Sequence, residues 1–158
     1  MALIWRLVPP EFANELNGKG NIRWGARWNS PGRGVVYASF NLSLCVLESF
    51  VQLPTPLRIE LPAMAAVRVD IPDDAPTREV TLADLPSDLA GGQSARRCRE
   101  IGDDWLAAAE HLVLTAPSFV VPRELNVMIN PAHPLMNRVK IIATEHFRFD
   151  PRLAIERL

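Results

Sequence analysis

Residues 41–53, with the sequence NLSLCVLESFVQL, predict a helix that is apolar almost all the way round and that stops at Pro54. Asn41 or Ser39 can cap its first turn, and proline cannot continue a helix. One face carries Leu42, Cys45, Val46, Phe50 and Leu53, and much of the other carries Leu44, Leu47 and Val51. A helix of this kind is normally buried, so the chain must fold around it.

Glu48 is the only charged residue in this predicted helix. Burying an ionised carboxylate without a partner costs much free energy. Either Glu48 emerges at the rim of a cleft, or a cation or hydrogen-bond donor meets it, with Arg6 and Arg23 as candidates for a structural ion pair. An isolated charge of this kind indicates a functional site about as well as it indicates an ion pair, and the pattern leaves both open.

The rest of the chain predicts an α+β domain. A second helix is expected at residues 94–109, with Cys98, Ile101, Trp105 and Leu106 or Ala108 facing inward. Residues 72–92 contain three prolines and a Gly-Gly pair, and predict an irregular surface segment. Apolar or β-branched runs bounded by proline and glycine predict strands. These are residues 3–8, 34–38, 57–61, 65–71, 112–114, 118–121, 125–129, 139–143 and 147–149.

Size and charge exclude several classes of protein. The 158 residues, 48% hydrophobic and 22% charged, fit a single domain spanning 1–158. A net charge of -1 gives no general basic field, so we expect no nucleic-acid partner. Cys45 and Cys98 are too few for a disulfide scaffold and favour a reducing, cytoplasmic location.

Membrane and metal signals are also weak. The N-terminus MALIWRLVPP is interrupted by Arg6 and has no small-residue cleavage site, unlike a signal peptide. The longest uncharged run, residues 34–47, is shorter than the ~20 residues of a membrane helix. His111, His133 and His146 lack the close pairing of a zinc site. We therefore expect no membrane association and no metal.

Several motifs together resemble a known family. They are GARWN at 25–29, Tyr37, Glu48, GDDWL at 102–106, APS at 116–118, ELN at 124–126 with NPAHP at 130–134, and FDPRL at 149–153. In this order and spacing they resemble the RES domain, which is named for an arginine, a glutamate and a serine. Its members are toxins of bacterial Xre-RES toxin–antitoxin pairs. The resemblance covers nearly the whole chain.

The resemblance implies a fold and an activity. The expected fold is a compact mixed sheet with flanking helices, similar to a minimal ADP-ribosyltransferase. The expected substrate is NAD, whose nicotinamide–ribose bond is cleaved by hydrolysis or phosphorolysis. Transfer of ADP-ribose to a host protein is the alternative, and a non-catalytic binding module is a second one. The expected partners are an Xre-type antitoxin that covers the active site and a second copy in a homodimer.

The resemblance also assigns the site, residue by residue, to Arg27, Tyr37, Glu48, Ser118 and, with a less defined role, Asn126. A guanidinium matches phosphate oxygens, so Arg27 is expected to anchor the pyrophosphate with Arg33 assisting. Glu48 would stabilise an oxocarbenium-like ribose. Tyr37 would present its ring and hydroxyl to nicotinamide. Ser118 would bind the carboxamide or steer Glu48.

Other residues of the same motifs are expected to be structural. Trp28 and Trp105 should pack in the core. Without the resemblance, Asn126, Asn130 and His133 are expected to build turns and satisfy backbone groups.

Overall fold

The computed structural model describes residues 2–156, so the two ends of the predicted 1–158 domain lie outside the described residues. It contains the strands β1 (Ala2–Val8), β2 (Val36–Ser39), β3 (Ala63–Ile71), β4 (Thr77–Glu79), β5 (Val113–Pro117), β6 (Leu125–Ile129) and β7 (Lys140–Arg148). Its helices are α1 (Leu42–Gln52), α2 (Thr55–Ile59) and α3 (Gly92–Ala108). The strands form one mixed sheet in the order β4-β5-β6-β2-β1-β3-β7. The predicted α+β fold is confirmed.

The two faces of the sheet differ in what covers them. One face buries alternate residues of the strands, among them Ile4, Val36, Val67 and Val127, under the chain segments 13–16 and 135–139. The other face carries two separate apolar clusters. One lies under α3 and contains Leu114 and Met128; the other lies under α1 and contains Leu7 and Met64. The sheet between these clusters is left open to a cleft.

Helix α1 begins and ends where the sequence predicts. The side-chain oxygen of Asn41 accepts from the backbone N–H of Leu44 at 2.8 Å, and the helix stops before Pro54. The predicted burial of the helix on all sides is wrong, however, because Leu47 and Val51 are 38% and 41% exposed. Helix α1 covers the β1–β3 half of the sheet, and its other side borders the cleft rather than a second layer.

Most predicted elements are confirmed with small shifts of their ends. Helix 94–109 is α3, and the strands 3–8, 34–38, 65–71, 112–114 and 125–129 are β1, β2, β3, β5 and β6. The two segments 139–143 and 147–149 form the single strand β7. The irregular segment 72–92 also contains β4, which pairs parallel to β5 and which the sequence analysis missed.

Two predicted strands are wrong. Residues 57–59 belong to α2, where Pro56 fits the first turn of a helix, and residues 60–61 follow the end of that helix without forming a strand. The guanidinium of Arg58 donates to the carbonyl oxygens of Leu53 and Val51 at 2.9 and 2.8 Å, which ties α2 to the end of α1. Residues 118–121 form a turn, because the Ser118 hydroxyl oxygen accepts from the backbone N–H groups that follow it.

The GDDWL motif lies within α3 and fixes how closely this helix approaches the loop before β2. A Cβ atom on Gly102 would overlap the carbonyl oxygen of Trp28, so only glycine permits this contact. Trp28 and Trp105 are 2% and 1% exposed, and both belong to the α3 cluster, as predicted. The loop that carries Arg27 is therefore packed directly on α3.

Candidate active site

A cavity of about 640 Å³ lies between the α1 and α3 clusters. Its walls come from α1, from strands β2 and β6, and from the loop at residues 20–28. The predicted site residues that line it are Arg27, Tyr37, Glu48 and Asn126. Ligand pockets are roughly 300–1,000 Å³, so the cavity has the size of a small-molecule site.

The register of the sheet explains why residues far apart in sequence meet here. Tyr37 pairs with Met128, and Ser39 pairs with Asn126, across β2 and β6. Directly paired residues project from the same face. Strand alternation therefore sends Tyr37, Ser39 and Asn126 toward the cleft, while Val36 and Ala38 enter the opposite core.

Glu48 is held by side chains from both neighbouring strand ends. The Ser118 hydroxyl donates to Glu48 Oε1 at 2.7 Å, and the Asn126 amide donates to the same oxygen at 2.6 Å. The Ser39 hydroxyl donates to Asn126 Oδ1 at 2.8 Å and fixes that amide in turn. Within residues 2–156, Glu48 Oε2 accepts no hydrogen bond. One carboxylate oxygen is thus used for positioning, and the other remains for a ligand.

Ser118 lies behind Glu48 rather than on the cavity wall. It is fully buried, and its oxygen accepts from the backbone N–H groups of Val120 and Val121 at 3.1 and 3.0 Å. The hydroxyl proton is directed to Glu48 by these two donors. Of the two roles considered for Ser118, this placement supports the steering of Glu48.

The alternative of a structural ion pair for Glu48 is not what the structure shows. The Arg6 guanidinium donates to the Glu15 carbonyl oxygen at 2.7 Å, and burial lowers the pKa of Arg6 to about 10. Arg23 stacks on Trp24 with 4.9 Å between its Cζ and the ring centroid. In the described part of the chain, neither arginine forms an ion pair with Glu48.

Arg27 lies at a tight reversal of the loop. Gly25 has a φ of 69°, in the left-handed region, and the Ala26 N–H donates to the Asn29 carbonyl oxygen at 2.9 Å. The exposed Arg27 side chain stacks on Phe119, with its Cζ 4.0 Å from the ring centroid. Stacking covers a face of the guanidinium and leaves donors at its edge for an anion.

The Arg27 guanidinium also lies near the Cys98 thiol of α3. Burial raises the pKa of the Cys98 thiol, and the nearby Arg27 guanidinium partly offsets this. Cys98 is fully buried in α3. The Arg27 guanidinium is therefore close both to α3 and to Phe119 at the cavity.

Arg33 is not brought into this cavity. Its guanidinium donates to the Asp103 carbonyl oxygen at 3.2 Å, and it lines a separate cavity of about 350 Å³ beside Leu106 and Asn130. The Asp103 carboxylate also accepts from the Ser30 backbone N–H at 2.9 Å. These contacts hold residues 30–33 on α3, away from Glu48.

Tyr37 presents its ring, but not a free hydroxyl, to the cavity. The hydroxyl accepts from the Trp28 backbone N–H at 3.1 Å and donates to Asn29 Oδ1 at 2.7 Å. Burial raises the pKa of Tyr37 well above its usual value, so the phenol is neutral. Because the Tyr37 hydroxyl already donates its proton to Asn29, it has no proton left to donate in the expected contact with nicotinamide.

Sequence reasoning missed Ser39, Asn29, Phe119 and Cys45 as parts of the site. Ser39 was considered only as a helix cap, although it lies two residues after Tyr37 on the same strand face. Cys45 lines the cavity, its thiol hydrogen-bonds to the Trp5 carbonyl oxygen at 2.9 Å, and burial raises its pKa to about 11. Asn29 is the last residue of the GARWN motif and Phe119 directly follows the APS motif, but nothing in the sequence gives the direction of either side chain.

Among residues 2–156, no group of three or more His, Cys, Asp or Glu side chains could hold a metal ion. None of the helices in the described chain has the length and apolar character needed to cross a bilayer.

Comparison with known proteins identifies the family. The family model called RES domain matches residues 3–151. The chain belongs to the RES-domain family. A toxin Res from Pseudomonas putida is 33% identical over 153 residues, which cover 96% of this chain and 99% of the relative. A toxin from Sphingobium sp., called Prs ADP-ribosylating toxin, is 32% identical over 146 residues, covering 89% of this chain and 88% of the relative.

The fold of this RES-domain toxin also has a solved counterpart. The crystal structure of the M. tuberculosis MbcT–MbcA toxin–antitoxin complex contains a chain that superposes with a TM-score of 0.72 at 14% identity. The match covers 92% of this RES chain and 83% of that one. It confirms the fold expected from the family resemblance.

Proposed function

We propose that this RES-domain toxin cleaves the bond between nicotinamide and ribose in NAD and so depletes the cell of NAD. The observation that carries the proposal is the convergence of a fixed carboxylate, Glu48, and an exposed guanidinium, Arg27, on one cavity. The Glu48 carboxylate matches the positive charge that develops on the ribose, and the Arg27 guanidinium matches the negative pyrophosphate of NAD.

Glu48 supplies the electrostatic part of the reaction. Loss of nicotinamide leaves a ribose with oxocarbenium character, similar to the transition state that glycosidase carboxylates stabilise. Ser118 and Asn126 hold Glu48 Oε1, so the carboxylate is already oriented before the substrate arrives. Preorganised groups of this kind contribute ~3–4 kcal/mol to a transition state.

Arg27 and the aromatic side chains supply the binding part. The planar guanidinium presents a fork of donors to phosphate oxygens, and its stacking on Phe119 limits its rotation. The Tyr37 ring also lines the cavity and offers an apolar surface for nicotinamide. Arg27 thus holds the pyrophosphate while Glu48 acts at the ribose.

Water or inorganic phosphate then attacks the ribose carbon that nicotinamide leaves. Hydrolysis gives ADP-ribose, and phosphorolysis gives its phosphorylated counterpart. A protein side chain as the attacking group would make the chain an ADP-ribosyltransferase. That second candidate is favoured by the name of the Sphingobium relative, an ADP-ribosylating toxin of similar length.

One experiment separates these reactions. The purified chain is incubated with NAD carrying a label on its adenylate, with and without phosphate and with and without cell lysate, and nicotinamide and labelled products are quantified. We expect nicotinamide release with label in small molecules rather than on protein. Release without added phosphate would identify hydrolysis, and release that requires phosphate would identify phosphorolysis. Label on protein would identify the transferase.

Matched variants control this test. Glu48→Gln removes the charge and should lower nicotinamide release about 10²–10³-fold. Glu110→Gln makes the same change at an exposed position after α3 and should leave it intact. If neither nicotinamide nor labelled protein appears with the unaltered chain, the proposed enzyme activity is wrong and the cavity is that of a binding module.

We also propose that an Xre-type antitoxin covers the cavity and that the toxin forms a homodimer in the cytoplasm. The structural counterpart from M. tuberculosis was solved with an antitoxin. The exposed Leu47 and Val51 lie on α1, and Val51 lines the cavity, so a protein seated there would bury apolar surface as it closes the site. Light scattering of the toxin alone and with the antitoxin tests both assemblies, and inhibition of nicotinamide release tests the closure.

A further inference from the structure

Asn29 links the sheet to the loop that presents Arg27. Its side chain is completely buried although it is an amide in a loop. Its Nδ2 donates to the Arg33 carbonyl oxygen at 2.6 Å and to Asn21 Oδ1 at 3.1 Å. Its Oδ1 accepts from the Tyr37 hydroxyl at 2.7 Å. A buried amide whose donors and acceptor are all used fixes the position of each partner.

Asn21 extends this connection to the start of β2. Its Oδ1 accepts from the Val35 backbone N–H at 2.9 Å, and its Nδ2 donates to the Val35 carbonyl oxygen at 2.6 Å. The two asparagines therefore tie residue 21, at one end of the loop, to residues 33 and 35 at the other. These side-chain hydrogen bonds close the loop together with one backbone hydrogen bond, from the Gly32 N–H to the Ile22 carbonyl oxygen at 2.8 Å.

The Tyr37 hydroxyl fixes the loop from the sheet side. It accepts from the Trp28 backbone N–H at 3.1 Å, next to Arg27, while donating to Asn29. Arg27 is itself exposed, and its side chain rests on Phe119. Tyr37 and Asn29 thus hold the backbone next to Arg27 from the side of the sheet.

We infer that the Tyr37 hydroxyl and the Asn29 amide are positioning residues, which hold the Arg27 loop at the distance from Glu48 that NAD requires. This inference rests on the proposed function. Misplacement of a binding group by about 1 Å is enough to weaken a site strongly, so the role needs no contact between either polar group and the substrate. The Tyr37 ring keeps its place on the cavity wall in this account.

A double-mutant cycle on NAD binding tests the inference. All proteins carry Glu48→Gln, so that NAD is bound without turnover, and calorimetry gives the dissociation constant. Tyr37→Phe removes only the hydroxyl and should raise the dissociation constant about five- to tenfold, the usual effect of one hydrogen bond. In a protein that also carries Arg27→Ala, the same change should raise it less than about twofold, because the loop no longer presents a guanidinium.

Two results of the binding measurements would contradict the inference. An equal increase with and without Arg27 would show that the hydroxyl contacts NAD directly, and no increase in either protein would show that it has no role in binding. Both outcomes overturn the inference. Binding of NAD to none of the proteins would instead refute the proposed function.

Hydrogen exchange tests the loop without any ligand. In Tyr37→Phe the Trp28 amide loses its acceptor, and exchange there should become about five- to tenfold faster while the amides of α1 stay unchanged. Thr115→Val removes a buried hydroxyl on the opposite side of β5 and serves as the control. Unchanged exchange at Trp28, or an equal effect of the control, would overturn the inference whatever NAD does.

Discussion

The two walls of the cavity hold their charged residues in opposite ways. Glu48 lies on a packed helix, and two side-chain donors from other elements bind one of its oxygens at 2.7 and 2.6 Å. Arg27 lies at the tip of a loop reversal, is exposed, and rests on a single aromatic ring. The group assigned to the bond-breaking step is fully oriented in advance, whereas the group assigned to binding keeps freedom to adjust to the pyrophosphate.

The largest expected effect is on the carboxylate wall. Glu48→Gln keeps an oxygen that accepts from Ser118 and Asn126 but loses the negative charge. We expect kcat for nicotinamide release to fall about 10²–10³-fold, as for other electrostatic groups, with KM changed little. Steady-state kinetics measures this, and an unchanged melting temperature shows that the fold is intact. A variant with full activity would contradict the role of Glu48.

A change in the loop that carries Arg27 should instead affect mainly KM. Arg27→Ala removes hydrogen bonds to a charged partner, which are worth ~1.5–3 kcal/mol, so KM should rise about 10- to 100-fold with a smaller change in kcat. Arg33→Ala is the matched control, because Arg33 lies in the same loop but lines another cavity. A larger effect of Arg33→Ala than of Arg27→Ala would reverse the assignment of the two arginines.

Both Arg27→Ala and Glu48→Gln should also relieve growth arrest in cells.

A third change tests how much orientation matters to Glu48. Ser118→Ala removes one donor to Glu48 and leaves the N–H groups of Val120 and Val121 without their acceptor. We expect kcat to fall about tenfold and the free energy of unfolding to fall by ~1–3 kcal/mol. Kinetics and denaturant unfolding measure the two losses. If kcat is unchanged in the destabilised protein, Ser118 supports the turn but does not orient Glu48.

The smallest expected effect is at Phe119, the ring on which the Arg27 guanidinium stacks. Phe119→Leu keeps an apolar side chain but removes the cation–π contact, which is worth ~0.5–1 kcal/mol at an exposed site. KM for NAD should rise about two- to fivefold, and kcat should not change. An increase as large as that of Arg27→Ala would mean that the guanidinium has no useful freedom and that the loop wall is as rigid as the helix wall.

Local patterns made part of this molecule predictable. Asn41 and Pro54 bound α1 because capping and helix termination depend on residues a few positions apart. Glu48 was notable because a lone charge in an apolar helix has a high desolvation cost. The pairing of Ser39 with Asn126 is different, since it depends on a strand register that joins residues 87 positions apart.

The errors share a physical origin in hydrogen bonds between a side chain and the backbone, some of them only a few residues apart in sequence. The Arg58 guanidinium makes residues 55–59 a helix by binding the end of α1, and the Ser118 oxygen captures two N–H groups that a strand would have used. Arg33 is close to Arg27 in sequence, but Asp103 of α3 holds it elsewhere. In each case a side chain forms a hydrogen bond with a backbone group that the hydrophobic periodicity of the sequence does not predict.

The contact between Gly102 and the Trp28 carbonyl oxygen has a consequence for genetics. Any larger residue at position 102 would push the Arg27 loop off its supporting helix, although Gly102 has no chemical role and does not line the cavity. A selection for harmless alleles of this toxin should therefore recover Gly102 substitutions beside those of Glu48. The two kinds of allele would differ in soluble yield and in their sensitivity to proteases, since the first disturbs packing and the second removes a charge.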